Sequence, residues 1–160
     1  MLYDNVEEMW KVVRETKPRS VADVRYQTQW AAQFFVLGEL TLRGYTAALT
    51  HGNARDKDIL VSSRYGHPFS INVKGSSKRK APWLIKYEAP IPEHYFILVS
   101  LESSAPRYYI LSSTEMLEEL ASYNKEIFAR RGVLPKVPGF DWDRAFKYEN
   151  KWDTLPLVVN

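Results

Sequence analysis

One long apolar helix followed by a series of short strands leaves this chain few ways to fold. The segment from about 27 to 43 is dense in large apolar side chains, and Gly44 stands where a left-handed residue often ends a helix. Six strand-like segments, separated by turn-rich sequence, follow at 46–51, 58–63, 69–75, 81–87, 95–101 and 107–113. A second helix is predicted from about 114 to 130, with Thr114 as its N-cap. This order predicts one α/β domain in which helices are layered on a β-sheet.

Both ends of the sequence contain apolar residues, and those of the tail indicate packing. Residues 4–16 carry apolar side chains at helical spacing behind Asp4, a suitable N-cap, and Pro18 ends this predicted N-terminal helix. The tail, residues 133–160, contains large aromatic side chains, among them Trp142, Phe146 and Trp152. We therefore expect the 160 residues to form a single domain with the tail packed on it.

The composition excludes several kinds of site. The absence of cysteine excludes disulfide bonds, thiolate nucleophiles and cysteine-ligated zinc. Histidines at 51, 67 and 94 lack the spacing of metal ligands, so a bound metal should be a hard ion held by oxygen atoms. The sequence has no apolar run of about twenty residues, as a membrane helix needs, and no signal-peptide pattern at its start. We therefore expect a cytoplasmic protein without membrane contact.

Polar residues at the ends of two neighbouring strands are the first candidates for chemistry. Alternation along the strand at 69–75 directs Asn72 and Lys74 to the same face. If this strand forms a hairpin with the one before it, Asp58 lies at the same end of the ladder as Lys74. The alternatives are a solvated edge strand for Asn72 and Lys74, a simple turn residue for Asp58, and Asp56 in the role of Asp58.

Glu39 is a carboxylate within the apolar stripe of the helix predicted from about 27 to 43. Steps of four and three residues relate it to Phe35 and Leu42, so it is predicted to face the core. A carboxylate in that position is costly unless a metal ion or a lysine meets it. The alternative is that Glu39 lies at the edge of the stripe and reaches water.

The order of these residues resembles that of the PD-(D/E)XK nuclease superfamily, with a Glu on a helix, an Asp on a strand, and a strand pair ending in Lys. The family's acidic-x-Lys motif, in which Gln is a frequent variant, corresponds to Asn-Val-Lys at 72–74. The segments GELTLRGYTAALT, DKDILVSS and FSINVKGSSKRKAPWLI are similar to small bacterial members, and the resemblance covers roughly residues 27–125. It implies a restriction-endonuclease-like fold, in which a central mixed β-sheet is flanked by helices.

The resemblance also implies hydrolysis of phosphodiester bonds in DNA with Mg²⁺, or with Mn²⁺ in its place. The implied ligands of the ion are Glu39, Asp58, Asn72 and the Val73 carbonyl. The ion would lower the pKa of a bound water, and Lys74 would orient that water or neutralise charge on the phosphate. The sequence departs from the family at Asn72, because its amide brings no charge and should weaken metal binding. Whether the chain is an enzyme therefore stays open.

A basic loop directly follows this strand. Its predicted nucleic-acid contacts are Ser76, Ser77, Lys78, Arg79 and Lys80. Hydroxyl and cationic groups suit a phosphate backbone, although a solvated loop is an equal alternative. Trp83 is expected in the core, with stacking on a base as its alternative. The expected partner is nucleic acid, DNA before RNA, and a homodimer is compatible with the sequence.

Three functions fit these residues. The first is a metal-dependent DNA nuclease, which needs a metal-competent site. The second is a catalytically impaired domain of the same fold that binds nucleic acid or a protein partner. The third is a small scaffold or immunity-type protein, which needs neither the metal site nor the basic loop. From the sequence we favour the nuclease.

Overall fold

A computed structural model describes the chain over residues 20–50, 56–62, 67–78 and 81–157. The predicted N-terminal helix at 4–16 and the loop cations Arg79 and Lys80 lie outside these residues. Among the helices that are described, none combines the length and the apolar composition needed to cross a membrane.

The first described helix, α1 (Val21–Leu42), starts earlier than the apolar pattern predicts. Ser20 caps it, because the Ser20 hydroxyl accepts from the Asp23 N–H and the Asp23 carboxylate accepts from the Ser20 N–H at 3.0 Å. This capping box satisfies donors that the first turn leaves without helical partners. Beyond the other end, Gly44 has a φ of 85°, the left-handed conformation expected for it.

Two sheets are formed in the described part of the chain. Their strands are β1 (Thr46–Leu49), β2 (Ile59–Ser62), β3 (Phe69–Ser76), β4 (Trp83–Leu84), β5 (His94–Ser100), β6 (Arg107–Ser112) and β7 (Gly139–Phe140). The main sheet has the order β1-β2-β3-β5-β6, in which β3 and β5 are parallel and the other neighbours antiparallel. The fold is therefore α/β with a mixed five-stranded sheet, which confirms the predicted class.

The predicted strand at 81–87 is wrong for most of its length. Only Trp83–Leu84 is paired, and its partner is Gly139–Phe140 of the tail, a strand that the sequence pattern did not predict. Pro82 directly before β4 and Pro90 after it have no N–H to offer a ladder. This segment therefore covers the main sheet and does not extend it.

Two cores lie on the two faces of the main sheet. α1 packs on one face through Ala32, Val36 and Leu40, which are fully buried. The helix α2 (Ser113–Arg131) packs on the other face together with residues 140–148 of the tail, whereas Trp152 and Leu155 further along belong to the first core. The second core consists of Trp83, Ile85, Phe96, Leu98, Tyr109, Leu111, Met116, Leu120, Phe140, Trp142, Ala145 and Tyr148. The sheet thus lies between α1 on one face and α2 with the first part of the tail on the other.

Local capping interactions set both ends of α2, and its N-cap lies two residues before the predicted one. Ser112, and not Thr114, is the N-cap, and it forms a capping box with Glu115. Gly132 ends the helix with a φ of 71°, and its N–H donates to the Phe128 carbonyl. The boundaries of α2 are therefore set by local side-chain and backbone bonds.

The tail is joined to α2 through Glu119, a buried carboxylate. Glu119 accepts from the Tyr148 hydroxyl at 2.9 Å and from Arg144 Nη1 at 3.1 Å, and it pairs with the Lys147 ammonium. Burial alone would raise the pKa of Glu119, but the hydrogen bonds from these three residues lower it below its ordinary value. This network holds the short helix α3 (Trp142–Ala145) and the 3₁₀ turn after it against α2.

The aromatic residues singled out in the tail differ in burial. Trp142 is buried against Trp83, with ring centroids 5.1 Å apart. Trp152 is half-buried and packs on Tyr108 at 5.3 Å. Phe146 is 50 % exposed, so its ring contributes less to holding the tail.

Candidate functional site

Asp58 lies just before β2 and joins α1 to the centre of the sheet. Its Oδ2 accepts a hydrogen bond from the Val73 N–H at 2.7 Å, and its Oδ1 accepts one from Gln33 Nε2 at 2.8 Å. Its own N–H donates to the Ile71 carbonyl at 2.9 Å. Asp58 is therefore bonded to the backbone of β3 on both sides of Asn72, directly beyond the last registered pair of β2 and β3, Ile59 with Ile71.

Gln29, one turn before Gln33 on α1, satisfies the next polar groups along β3. Its Nε2 donates to the Val73 carbonyl at 2.7 Å, and its Oε1 accepts from the Gly75 N–H at 3.1 Å. β2 does not extend this far, so the amide takes the place of a neighbouring strand's backbone. Asp58 and Gln29 together satisfy the part of the β3 edge that β2 leaves uncovered.

Gly75 allows α1 to come this close to β3. A Cβ at this position would lie 2.8 Å from the Ala32 Cβ and 2.8 Å from the Thr28 carbonyl oxygen. Both distances are too short for real Cβ contacts, and the second involves backbone that cannot rotate away. The glycine therefore sets a helix–strand distance at which the Gln29 side chain reaches the backbone of β3.

Asn72 lies on the opposite face of β3 from Val73 and is 2 % exposed. Its Nδ2 donates to the Asp56 carbonyl at 3.0 Å, whereas its Oδ1 is buried without a hydrogen-bond partner among the described residues. Asp56 itself has a φ of 62°, which is uncommon outside glycine. β3 is the central strand of the main sheet, so the alternative of a solvated edge strand is wrong for Asn72.

Lys74 follows Asn72 on the same face and is half-buried near the end of β3. Its charge acts on Asp58. Burial raises the pKa of the Asp58 carboxyl, while the hydrogen bond from Val73 and the charge of Lys74 lower it, and the charge of Asp56 raises it further. The net pKa shift is upward. Lys74 is thus close enough for its charge to act on Asp58, whereas the Asn72 side chain bonds the Asp56 carbonyl on the face of β3 opposite to α1.

Glu39 lies on the other flank of α1. It is six residues after Gln33, which is about 240° around a helix, and it pairs with Arg43 at 3.2 Å. Burial, and after it the charge of Glu39, raise the pKa of Tyr108 on β6 to about 12, against the opposing charge of Arg43. Gln33 is therefore the α1 residue that contacts Asp58, a contact that the resemblance implies for Glu39.

These contacts determine how well the site suits Mg²⁺. Asp58 supplies one carboxylate, but each of its oxygens already accepts a hydrogen bond, and the Val73 carbonyl accepts one from Gln29. Asn72 offers a neutral oxygen, and Glu39 lies elsewhere. Over the described ranges, no three His, Cys, Asp or Glu side chains are grouped so that they could hold a metal ion. The residues do not fit the two-carboxylate magnesium site implied by the resemblance.

The basic loop begins where β3 ends. The Thr28 hydroxyl of α1 lies 3.3 Å from Ser77 Oγ, within hydrogen-bond distance, and the Ser76 carbonyl accepts from the Leu101 N–H at 2.7 Å. Ser77 and Lys78 are exposed. The start of the loop is thus attached to α1 and to the end of β5, and it presents Lys78 to solvent.

Trp83 belongs to the second core. It is 2 % exposed, and its indole N–H donates to the Val99 carbonyl at 3.3 Å. Its ring is therefore not accessible for stacking on a base, and core packing, the expected role, is confirmed.

Gln29 and Gln33 are site residues that the sequence pattern did not predict. They are four residues apart, so they lie one turn from each other on the same flank of α1. They are amides in a segment that is otherwise almost entirely apolar, and buried amides need partners. That spacing is the signal that could have identified them.

Comparisons with known proteins assign no family to this site. No protein-family model, no curated protein and no solved structure matches the chain significantly. The resemblance to the PD-(D/E)XK superfamily therefore rests on the residues themselves and on their order along the chain.

Proposed function

We propose that this chain is a DNA-binding domain with a PD-(D/E)XK-like fold, in which the hydrolytic site lacks the charge needed to hold Mg²⁺. The observation that carries the proposal is the contact between Gln33 and Asp58. A neutral amide occupies the helix position from which a carboxylate would face Asp58. Asn72 is the second neutral residue among the predicted ligands and lies on the face of β3 opposite to α1, so Asp58 is the single predicted carboxylate ligand at this end of the hairpin.

The state of Asp58 supports the loss of hydrolysis. Magnesium gives up its water reluctantly and is bound mainly through ionised carboxylates. Burial raises the pKa of Asp58, so its surroundings disfavour the charged form that a metal needs. The hydrogen bonds from Val73 and Gln33 give both oxygens a structural role in the absence of metal.

The cations around the end of β3 support binding to DNA. Lys74 lies at the site, Lys78 is exposed in the adjoining loop, and Arg79 and Lys80 follow in the sequence. Cationic side chains next to serine hydroxyls are the usual contacts to phosphate oxygens. Such contacts position a duplex without selecting its sequence. We therefore expect the affinity for DNA to depend strongly on the salt concentration and only weakly on the base sequence.

The salt dependence of affinity tests this function. Affinity for a fluorescent duplex is measured by anisotropy at several salt concentrations, for the wild type and for a variant with Lys78, Arg79 and Lys80 changed to Ala. The slope of log affinity against log salt should flatten by about 2–3 units, since each phosphate contact contributes roughly 0.9. A control variant removes three exposed cations of α2, at Lys125, Arg130 and Arg131, and should keep the wild-type slope.

Two results would contradict the proposal. If the wild type does not bind the duplex at low salt, the domain has a protein-only role. If the loop variant keeps the wild-type slope, the basic loop is only a solvated segment.

A metal-dependent nuclease is the second candidate, favoured by one observation. Asn72 Oδ1 is buried without a hydrogen-bond partner in the part of the chain that is described, and an amide oxygen can ligate a hard cation. This candidate predicts Mg²⁺-dependent cleavage of DNA by the wild type, and loss of cleavage in Asp58→Ala.

A further inference from the structure

α1 has an apolar outer surface that the sheet does not use. Tyr26 and Phe34 are 66 % and 58 % exposed. Trp30 lies between them, with ring centroids 6.1 Å from Tyr26 and 5.8 Å from Phe34. These three residues, four apart in sequence, form one line along the helix, which we call the aromatic stripe. It lies on the flank of α1 that also carries Gln33.

The composition of α1 indicates that this surface is normally covered. Between positions 27 and 38 the helix has no charged residue. A helix with one face in water normally presents charged side chains there, whereas a helix that is apolar all round is buried. Large exposed apolar patches of this kind are typical of packing or interaction sites.

The residues that precede α1 join the helix close to one end of the aromatic stripe. The capping box at Ser20 begins α1, so the helix does not continue into the residues before it. Pro18 disfavours a helical conformation for Lys17, which also separates the preceding segment from α1. The connection is then residues 17–19, a length typical of two antiparallel helices that pack on each other.

We propose that residues 4–16 form a helix that packs antiparallel to α1 on the aromatic stripe. Val6, Trp10 and Val13 lie at steps of four and three, so they would form one apolar face. A helix of this length is about 20 Å long, and the distance along α1 from Ser20 to Phe34 is about 21 Å. The segment is therefore long enough to cover the whole aromatic stripe.

The short connection favours this segment over other occupants. A group joined by so few residues has an effective concentration on the order of millimolar at its target. A second copy of the chain at micromolar concentration competes poorly with a tethered segment. The covering helix would lie beside Gln33, on the side of α1 next to the candidate site.

Hydrogen exchange on the full chain tests the proposal. Amides of residues 4–16 should exchange at least about tenfold more slowly in the protein than in a synthetic peptide of residues 1–19. This protection should be lost when Val6, Trp10 and Val13 are changed to Ser, a variant that leaves α1 intact. It should also be lost when the three stripe residues are changed to Ser.

A matched control changes three exposed apolar residues on the other flank of α1 to Ser, at Val24, Phe35 and Leu42. It should keep the protection of residues 4–16. Protection of β3 and β5 amides identifies variants that remain folded. Wild-type exchange equal to that of the peptide overturns the proposal, as does protection that survives in the segment variant. A concentration-dependent dimer that the stripe variant abolishes, with exchange at 4–16 unchanged, assigns the stripe to a second copy instead.

Discussion

Gln33 on α1 donates a 2.8 Å hydrogen bond to Asp58 at the start of the β2–β3 hairpin. Asp58 also accepts from the Val73 N–H, so the contact links α1 to the backbone of the central strand β3. It also places an amide, and not a carboxylate, at the helix position of the site. The packing of α1 at this end of the sheet and the proposed loss of metal binding both depend on the Gln33–Asp58 contact.

Replacing the amide by an acid tests that contact. Gln33→Glu puts a second carboxylate within hydrogen-bond distance of Asp58, and repulsion should lower the free energy of unfolding by about 1–3 kcal/mol in metal-free buffer. An ion that binds between the two carboxylates would stabilise the folded state, so Mg²⁺ or Mn²⁺ should raise the melting temperature of this variant. Thermal unfolding with EDTA and with either metal measures both effects.

Glu39→Gln is the matched control for that experiment. It removes the exposed ion pair with Arg43, worth about 0.3–0.5 kcal/mol, and should not change the response to metal. If Gln33→Glu behaves as the wild type in EDTA and in metal, residue 33 does not face Asp58.

Asp58 should make stability depend on pH in a direction set by its raised pKa. The native state binds the Asp58 proton more tightly than the unfolded state, whose pKa is the ordinary 3.8. The associated stability is fully present below pH 3.8 and is lost as pH rises through the native pKa. Asp58→Asn removes this loss, so its stability relative to the wild type should increase with pH across that window. Urea unfolding at a series of pH values measures the difference.

The matched change Asp58→Ala separates charge from hydrogen bonding. It leaves the Val73 N–H and the Gln33 amide without an acceptor, which should cost about 1–3 kcal/mol at every pH. Equal stability of the Asn and Ala variants at neutral pH would mean that these bonds contribute nothing.

Gly75 and Gly38 provide a paired test of how closely α1 packs on β3. Gly75→Ala introduces a Cβ 2.8 Å from both Ala32 Cβ and the Thr28 carbonyl oxygen, and should destabilise the protein by about 1–3 kcal/mol. Gly38 lies within α1 with open space around its Cβ position, so Gly38→Ala should stabilise the protein by about 0.5–1 kcal/mol. Chemical denaturation of both variants measures the two effects. The same sign of change for both would contradict the close packing.

The succession of most helices and strands along the chain and the hairpin that carries the site could be predicted from short-range signals. Alternation from 69 to 75 and the turn-rich sequence before it place Asp58 near Lys74, and the antiparallel pairing of β2 with β3 confirms that hairpin. Gly44 and Gly132 mark helix ends correctly, because a left-handed residue is a local requirement. The pairing of β4 with β7 joins residues far apart in sequence and has no local signal.

The sequence could not predict which side of α1 faces the sheet, and for this reason its pattern favours Glu39 over Gln33 as the site residue of the helix. Helical spacing predicts Phe35 and Leu42 as core positions, but they are 46 % and 84 % exposed, and the buried residues are Ala32, Val36 and Leu40. A helix that is apolar on most sides gives no clear direction for its buried face. The buried face is set instead by the close approach to Gly75, which only the tertiary structure contains.

The fate of labelled duplex DNA in the presence of Mg²⁺ or Mn²⁺ is the most direct test of the proposed function. Purified protein is incubated with the duplex at low salt, and one half of each sample is resolved on a native gel and the other on a denaturing gel. We predict a shifted complex on the native gel and DNA of full length on the denaturing gel with either metal. Metal-dependent cleavage products that disappear in Asp58→Ala would show that the site is catalytic, and would contradict the account.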